Sequence, residues 1–152
     1  MFEGQKIYPG EEATPLQVLM LADEYRKAAE TLLPTGRRGK PLSRAPYRLV
    51  AIHAIELYLN ALMLSRGLAP AKVRGLHHNM AARALFARTN GLSLRQATIS
   101  HLVKLSESRE YQCSRYGAET TESLSQPNRL AATLTEIGDK VAKALKKEAV
   151  TK

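Results

Sequence analysis

The amino-acid sequence predicts an all-α protein, a four- to five-helix up-and-down bundle. Hydrophobic residues make up 44% of the chain, but aromatic residues only 5%, with no Trp. Such a composition favours helices rich in Leu and Ala over sheets, and the period-two alternation typical of strands is missing. Residues 46–66 form a segment that is apolar on almost every side of a helix. A helix of that kind must lie at the centre of a bundle.

The first two helices are bounded by clear local signals. Thr14 is a good N-cap and Pro15 a good first helical residue, so the first helix is predicted to run from there to about Leu33. Pro46 opens the central helix and Gly67 ends it. The stretch that follows Gly67 is predicted to be a loop.

Three further helices are predicted in the second half of the chain. Their bounds follow from caps, helix breakers and apolar spacing. The third runs from about His77 to Arg88, the fourth from a Ser93-x-x-Gln96 capping box to Tyr111 or Cys113, and the fifth from Pro127 to about Lys147. The domain organisation is therefore a flexible leader (1–13), one helical bundle domain (14–147) and a tail (148–152).

A basic linker joins the first helix to the central one. Residues 34–45 contain two prolines and two glycines, which argue against regular structure. The linker carries four cations and no acid; these phosphate-contact candidates are Arg37, Arg38, Lys40 and Arg44. They could clamp phosphates, or the segment could be a solvated connector.

The central helix carries one narrow polar line made of His53, Glu56 and Asn60. Spacings of three and four residues put these side chains on one face. Each unpaired buried polar group costs roughly 1–3 kcal/mol. The three groups therefore either bind one another and their neighbours inside the bundle, or face a cleft or a second subunit.

Charge and cysteine content restrict the class of protein. The net charge is +9, which is compatible with RNA, DNA or a nucleotide as partner, or with a plain basic surface. The single Cys113 excludes an internal disulfide framework and a Cys-based zinc cluster, and it fits a reducing cytoplasm. Neither a secretory signal nor a membrane-spanning segment is expected.

Motifs for several kinds of chemistry are missing. No Walker or dinucleotide phosphate loop, no Gly-x-Ser-x-Gly nucleophile and no metal-binding His pattern occurs, so neither a metal nor a cofactor is predicted. Two Arg-then-His spacings remain, Arg48 with His53 and Arg95 with His101. On one helix such pairs are turned apart by about 140° and 120°.

The run HAIELYLNALMLSRG, the pair His77-His78 that opens the next helix, and LVKLSESREYQCSRYG together resemble the HEPN domain family. The resemblance covers about residues 14–147. Glu56 and Asn60 match the polar positions of the second helix of that family. Arg115-Tyr116 matches the Arg-Tyr ending found in many members.

The resemblance implies a usually dimeric helical domain that binds nucleotide or RNA. Some members are metal-independent ribonucleases with an Arg-x(4–6)-His motif near the start of the fourth helix, which by position is Arg95 with His101. Members with an Arg-Tyr ending often serve as binding or substrate-recognition modules. A nucleotidyltransferase or an antitoxin is a possible partner.

Three functional hypotheses follow. The first is a non-catalytic HEPN-like module that binds nucleotide or RNA, or supports a partner protein, in a cleft lined by His53, Glu56, Asn60, Arg115 and Tyr116. Alternatively, these polar side chains could form hydrogen bonds and ion pairs with one another inside the bundle, with Glu56 paired to Arg115. The second is a metal-independent endoribonuclease of toxin–antitoxin or defence type. The third is a structural homodimerisation protein.

Overall fold

The computed structural model describes residues 7–151, and the side chains within that range apart from those of 121–123 and 149–151. Residues 1–6 of the predicted leader and Lys152 of the predicted tail lie outside the described residues. Seven α-helices occur in the described range. They are α1 (Pro15–Leu32), α2 (Ala45–Ser65), α3 (Pro70–Gly75), α4 (Met80–Thr89), α5 (Gln96–Glu107), α6 (Glu110–Tyr116) and α7 (Pro127–Thr151).

Helix α2 forms the centre of the fold, as its composition predicts. Helices α1, α7, α6 and α4 all pack against it. Thirteen of its residues are buried, and they occupy every side of the helix. Fully burying one Leu or Ile side chain contributes about 1.5–3 kcal/mol, so α2 supplies much of the stabilisation of the bundle.

The predicted bounds of α1, α2 and α7 agree with the structure to within a few residues. At the start of α1, Gln17 N donates to Thr14 Oγ1 (3.1 Å) and Thr14 N donates to Gln17 Oε1 (2.9 Å), a complete capping box. Helix α7 continues to Thr151, beyond the predicted end at Lys147.

The middle of the chain differs from the predicted helices. The predicted loop after Gly67 contains α3, and Asn79 rather than His77 opens α4, with its side chain accepting from Ala82 N (3.0 Å). The predicted fourth helix is broken at Arg109, whose backbone is left-handed (φ 52°), so that α5 and α6 are separate helices. The prediction of one continuous helix was wrong because apolar spacing carries no signal for a single left-handed residue.

The Ser93 capping box predicted for α5 is also wrong. Arg95 is the N-cap residue and has no side-chain cap bond of its own. Its backbone N–H instead donates to Glu136 Oε2 of α7 (2.8 Å), and Thr98 Oγ1 donates to Glu136 Oε1 (2.5 Å). A carboxylate from a distant helix therefore replaces the local cap.

The basic linker is more regular than its prolines and glycines suggest. Residues 33–35 and 41–44 form 3₁₀ turns, and Arg37 pairs with Lys40 in an isolated β-bridge. Ser43 holds the turn, because its Oγ accepts from Arg37 N (2.7 Å) and donates to Lys40 O (2.6 Å). Local hydroxyl bonds of this kind order short polar segments.

One segment, Pro41–Ser65, is long and apolar enough to cross a membrane by length and composition alone. In the fold, 61% of its most apolar window is buried inside the protein. Most of this apolar surface therefore packs inside the bundle.

Helix α7 passes close to α2 at Gly138. A Cβ placed there would lie 3.1 Å from Cε2 and 3.2 Å from Cζ of Tyr58, and 2.8 Å from Nη1 of Arg26. The Tyr58 ring is fully buried, and its Oη donates to Asp23 Oδ1 (2.5 Å), so the ring has little room to move. The absence of a side chain at 138 lets the two helices meet.

We expect Gly138→Ala to lower the free energy of unfolding by up to about 2 kcal/mol, measured by urea denaturation. Overpacking a core costs about 1–3 kcal/mol, and the better helix propensity of Ala returns about 1 kcal/mol. Gly75→Ala is the matched control, because a Cβ at Gly75 meets no atom within 4 Å. Equal stability of the two variants would contradict the close packing at Gly138.

Candidate functional site

A large groove runs along one face of α2. Its volume is about 1130 Å³. Its walls come from α1, α2, α3 and the segment at residues 8–13. Between His53 and Leu64, α2 contributes a floor about 16 Å long at 1.5 Å per residue. Most of the lining is apolar; its Leu and Val side chains are Val18, Leu21, Leu57, Leu64 and Val73.

The polar line of α2 opens into this groove. His53, Glu56 and Asn60 all line it, so the structure brings these three predicted residues together. Glu56 is buried, and its Oε1 accepts from His78 Nδ1 (2.9 Å). Asn60 Oδ1 accepts from Nε of Arg83 (2.9 Å).

Arg83 of α4 is the main internal partner of the polar line. Its side chain is only 2% exposed, and Nη1 lies 4.0 Å from Glu56 Oε1. Burial lowers the pKa of Arg83, while the carboxylate of Glu56 raises it. Removing one member of such a buried pair costs about 3–5 kcal/mol. Glu56 is therefore paired with His78 and Arg83, and its predicted pairing with Arg115 does not occur.

His53 is held differently from its two neighbours on α2. Its ring makes an edge contact with Tyr25 of α1, with centroids 4.6 Å apart. Burial lowers the pKa of His53, and the nearby His78 lowers it further, while Glu56 opposes both. Burial therefore disfavours the protonated form of this imidazole.

The rim of the groove is built from α3 and the chain before α1. Arg74 Nη1 donates to Glu11 Oε2 (2.6 Å), and its guanidinium lies 4.1 Å from the ring centroid of Tyr8. These contacts fix residues 8–13 against α3. His77 follows α3 in a left-handed conformation (φ 51°) and is exposed at the rim.

Arg115 and Tyr116 do not line the groove, which corrects the predicted cleft. Tyr116 is 74% exposed, and both residues border a separate depression of about 190 Å³. They end α6, none of whose described residues lines the groove. Arg115 Nη1 donates to Tyr111 Oη, and the Tyr111 ring stacks on His78 with centroids 3.5 Å apart. Arg115 thus reaches the groove only through Tyr111 and His78.

Arg95 and His101 are also apart. Arg95 is exposed at the start of α5, whereas His101 is buried between α5 and α7. His101 Nδ1 lies 2.6 Å from Thr133 Oγ1, and Nε2 lies 2.7 Å from Ser125 Oγ. Both ring nitrogens are occupied by internal hydroxyls, so His101 presents neither to an RNA strand.

The network around His101 assigns its proton. Ser125 Oγ and Ser125 N both donate to Glu110 Oε1 (2.8 and 2.6 Å). Since Ser125 gives its proton to Glu110, it accepts from His101 Nε2–H, and Thr133 donates to Nδ1. The carboxylate contacts the serine and not the histidine, so this is not the arrangement of a Ser-His-acid triad.

The remaining predicted residues lie outside the groove. Arg37, Arg38 and Lys40 are exposed on the linker turn, while Arg44 is half-buried beside Gly36. No cluster of His, Cys, Asp or Glu suited to a metal occurs among the residues described.

Several residues of the groove and its surroundings were not predicted as site residues, and four of them are central to the contacts described above. They are Arg74, His78, Arg83 and Tyr111. His78 had a sequence signal, its place in the His77-His78 pair of the resemblance. The other three had none, because only tertiary packing brings them to α2.

No protein-family model, curated protein or solved structure matches this chain.

We expect stability to fall between pH 7 and pH 5, in part because of His101. Burial, reinforced by the charges of Arg129 and Lys104, lowers the pKa of His101 from 6.5 to about 4. The unfolded chain therefore binds the proton first, and stability present above pH 6.5 is lost as the pH falls toward 4. The His101 part of the loss is about 2 kcal/mol by pH 5.

The measurement is urea denaturation of the wild type and His101→Gln at pH 7 and pH 5. The variant should be less stable than the wild type at pH 7. Between pH 7 and pH 5 its free energy of unfolding should fall by about 2 kcal/mol less than that of the wild type. His77→Gln, at an exposed position, should keep the full pH dependence. If His101→Gln and the wild type lose equal stability on acidification, His101 is not the buried neutral base described.

Proposed function

We propose that this protein is a non-catalytic helical module of the HEPN type whose groove binds a nucleotide, free or at the end of an RNA strand. The observation that carries the proposal is the composition of the groove. An apolar lining is bordered by imidazoles on one side and contains one buried carboxylate. Pockets for small ligands are mostly apolar with a few convergent polar groups.

The apolar side of the groove suits a nucleobase. Leu57 and Leu64 of α2, Val18 of α1 and Val73 of α3 all line it. A planar base would bury its faces against these side chains, with a gain of about 25 cal/mol per Å² of apolar surface. Tyr8 at the rim adds an aromatic ring, and stacking of a base on such a ring contributes about 1–3 kcal/mol.

The polar side suits the sugar and the phosphate. Glu56 uses Oε1 for His78, and no described residue bonds Oε2, which is left to accept from a hydroxyl or an exocyclic amine. His53 and His77 make no hydrogen bond through their rings to the described residues. Imidazole N–H groups are good donors to phosphate oxygens.

The contact between Glu56 and His78 supports the proposed HEPN relationship. The resemblance rests partly on a Glu in the second long helix and on a His pair after it. In the fold these motif positions meet at 2.9 Å and share one groove with Asn60. On this proposal, the helices of a HEPN-type bundle correspond to α1, α2, α4, the pair α5 and α6 taken together, and α7.

We expect the wild type to bind a nucleoside monophosphate and Ala71→Glu to bind it about tenfold or more weakly. Ala71 is exposed on α3 and lines the groove, so a Glu there repels an anion and narrows the site without disturbing the core. The measurement is isothermal titration with AMP, GMP, CMP and UMP at two salt concentrations. Binding should weaken as salt rises.

Ala132→Glu is the matched control, because it adds the same charge at an exposed position of α7 outside the groove. Equal loss in both variants would point to a general charge effect and contradict the groove as the site. Absence of binding to all four nucleotides, and to a short RNA carrying a 5′-phosphate, would overturn the proposal. Cleavage of RNA by the pure protein in EDTA would contradict its non-catalytic part.

We further propose a homodimer formed through the outer face of α1. Leu16 (48% exposed) and Met20 (66%) lie one turn apart there, outside the groove that Leu21 lines and apart from the contact of Tyr25 with His53. Large apolar side chains exposed together favour association. A closed two-fold contact would cover this face on both copies.

Light scattering coupled to gel filtration should give twice the chain mass for the wild type and a monomer for Met20→Glu. A buried carboxylate at the centre of the contact opposes association. Leu85→Glu, at a 63% exposed position of α4, should leave the dimer intact. A wild-type monomer, or equal dissociation by both variants, would exclude the α1 face.

A further inference from the structure

A second depression adjoins the groove at His77 and His78, which line both. Its volume is about 360 Å³. The remaining lining comes from the start of α4, the end of α5 and the start of α6. These residues are Leu76, Asn79, Leu105, Ser106, Arg109, Tyr111 and Gln112. The His78 ring, stacked on Tyr111, forms part of the wall between the two cavities.

The charge of this depression differs from that of the groove. None of its lining residues is acidic, and Arg109 brings a full positive charge. The Arg109 side chain is exposed, and its guanidinium has no hydrogen-bond or ion-pair partner among the side chains that the structure describes. The Gln112 side-chain amide is likewise unpaired among those side chains. The depression therefore offers donors with few competing acceptors.

The backbone at this place is strained on both sides. His77 (φ 51°) and Arg109 (φ 52°) are the two residues other than glycine with positive φ in the described range, and both line this depression. A left-handed conformation is unfavourable for a residue with a Cβ, and Arg is not among the residue types that tolerate it best. Such outliers cluster at ligand-binding sites.

The groove itself is a poor place for several negative charges. Glu56 lies on its floor, and Glu11 accompanies Arg74 at its rim. Like charges this close repel one another. Past His78 there is no carboxylate in the lining, and the first full charge is that of Arg109.

We propose that this depression is a phosphate subsite, and that the ligand is a nucleoside polyphosphate whose base lies in the groove and whose terminal phosphates reach Arg109. This rests on the proposed nucleotide function and adds the class of nucleotide. His77 and His78 contact the first phosphate at the junction. Arg109 binds the end of the chain, where a guanidinium can form two parallel hydrogen bonds with phosphate oxygens.

The test is isothermal titration of the full chain with pyrophosphate, AMP and ATP, without metal. We expect wild-type protein to bind pyrophosphate, and to bind ATP about tenfold or more tightly than AMP. Arg109→Gln should lose about tenfold or more in affinity for pyrophosphate and ATP, and less than about threefold for AMP. Arg88→Gln removes the same charge at an exposed position of α4 outside both cavities and should change neither affinity.

Arg109→Gly checks that the effect is not a folding defect. Glycine adopts the left-handed conformation without strain, so this variant should melt at the wild-type temperature or up to about 3 °C higher. It should still lose pyrophosphate binding.

Two outcomes separate this inference from the proposed function. If AMP and ATP bind equally and Arg109→Gln changes neither, the groove binds nucleotides and the phosphate subsite is wrong. If pyrophosphate binds through Arg109 but ATP binds no more tightly than pyrophosphate and AMP does not bind, the base contributes no affinity. The phosphate subsite then stands and the nucleotide function fails. Failure of wild-type protein to bind pyrophosphate overturns the subsite.

Discussion

Burial of α2 on every side is the constraint from which the rest of the structure follows. Once this helix is central, its polar groups must find partners inside the bundle or at an opening in it. Arg83 of α4 meets that need for Asn60 and, at longer range, for Glu56. Because an unpaired charge at this depth is so unfavourable, α4 can pack on α2 in few registers. The groove lies where that packing stops, with α3 and the rim at residues 8–13 bordering the open side.

The two histidine-centred regions differ in whether both ring nitrogens of the histidine bond within the protein. Around His101, the ring nitrogens, the Ser125 hydroxyl and one oxygen of Glu110 all bond within the protein, and Arg48 donates to Ser125 O at 3.2 and 3.3 Å. This network ties α5 and α7 together and reaches α2 and α6. Around His53 the polar groups are only partly used and reach the groove. The position of a histidine in a motif therefore says less about its function than the number of its nitrogens that the fold leaves free.

Features encoded within one or two helical turns could be predicted from the sequence, whereas features made by distant contacts could not. The Thr14 N-cap is local and was predicted, although its reciprocal bond with Gln17 was not. The Ser93–Gln96 pattern is equally local, but Glu136, 41 residues from Arg95, bonds the same helix end and replaces it. In the same way, helical spacing alone placed His53, Glu56 and Asn60 together. Arg83 and Tyr111 joined them through packing, which no spacing rule encodes.

The left-handed turn at Arg109 links the overlooked helix break to the site. If α5 continued without a break, Tyr111 would lie about 200° from Arg109 around the same helix axis. The break instead starts α6 in a new direction, which packs against α2 and lays the Tyr111 ring on His78. Arg115, one turn further along, bonds the Tyr111 hydroxyl and helps to orient that ring. Glu56 then fixes the other edge of the His78 ring, so its position is set from two sides. Arg109, in its strained conformation, therefore has two effects: it exposes a guanidinium, and it positions the His78 imidazole between the two cavities. A glycine at 109 could form the same turn but would supply no guanidinium.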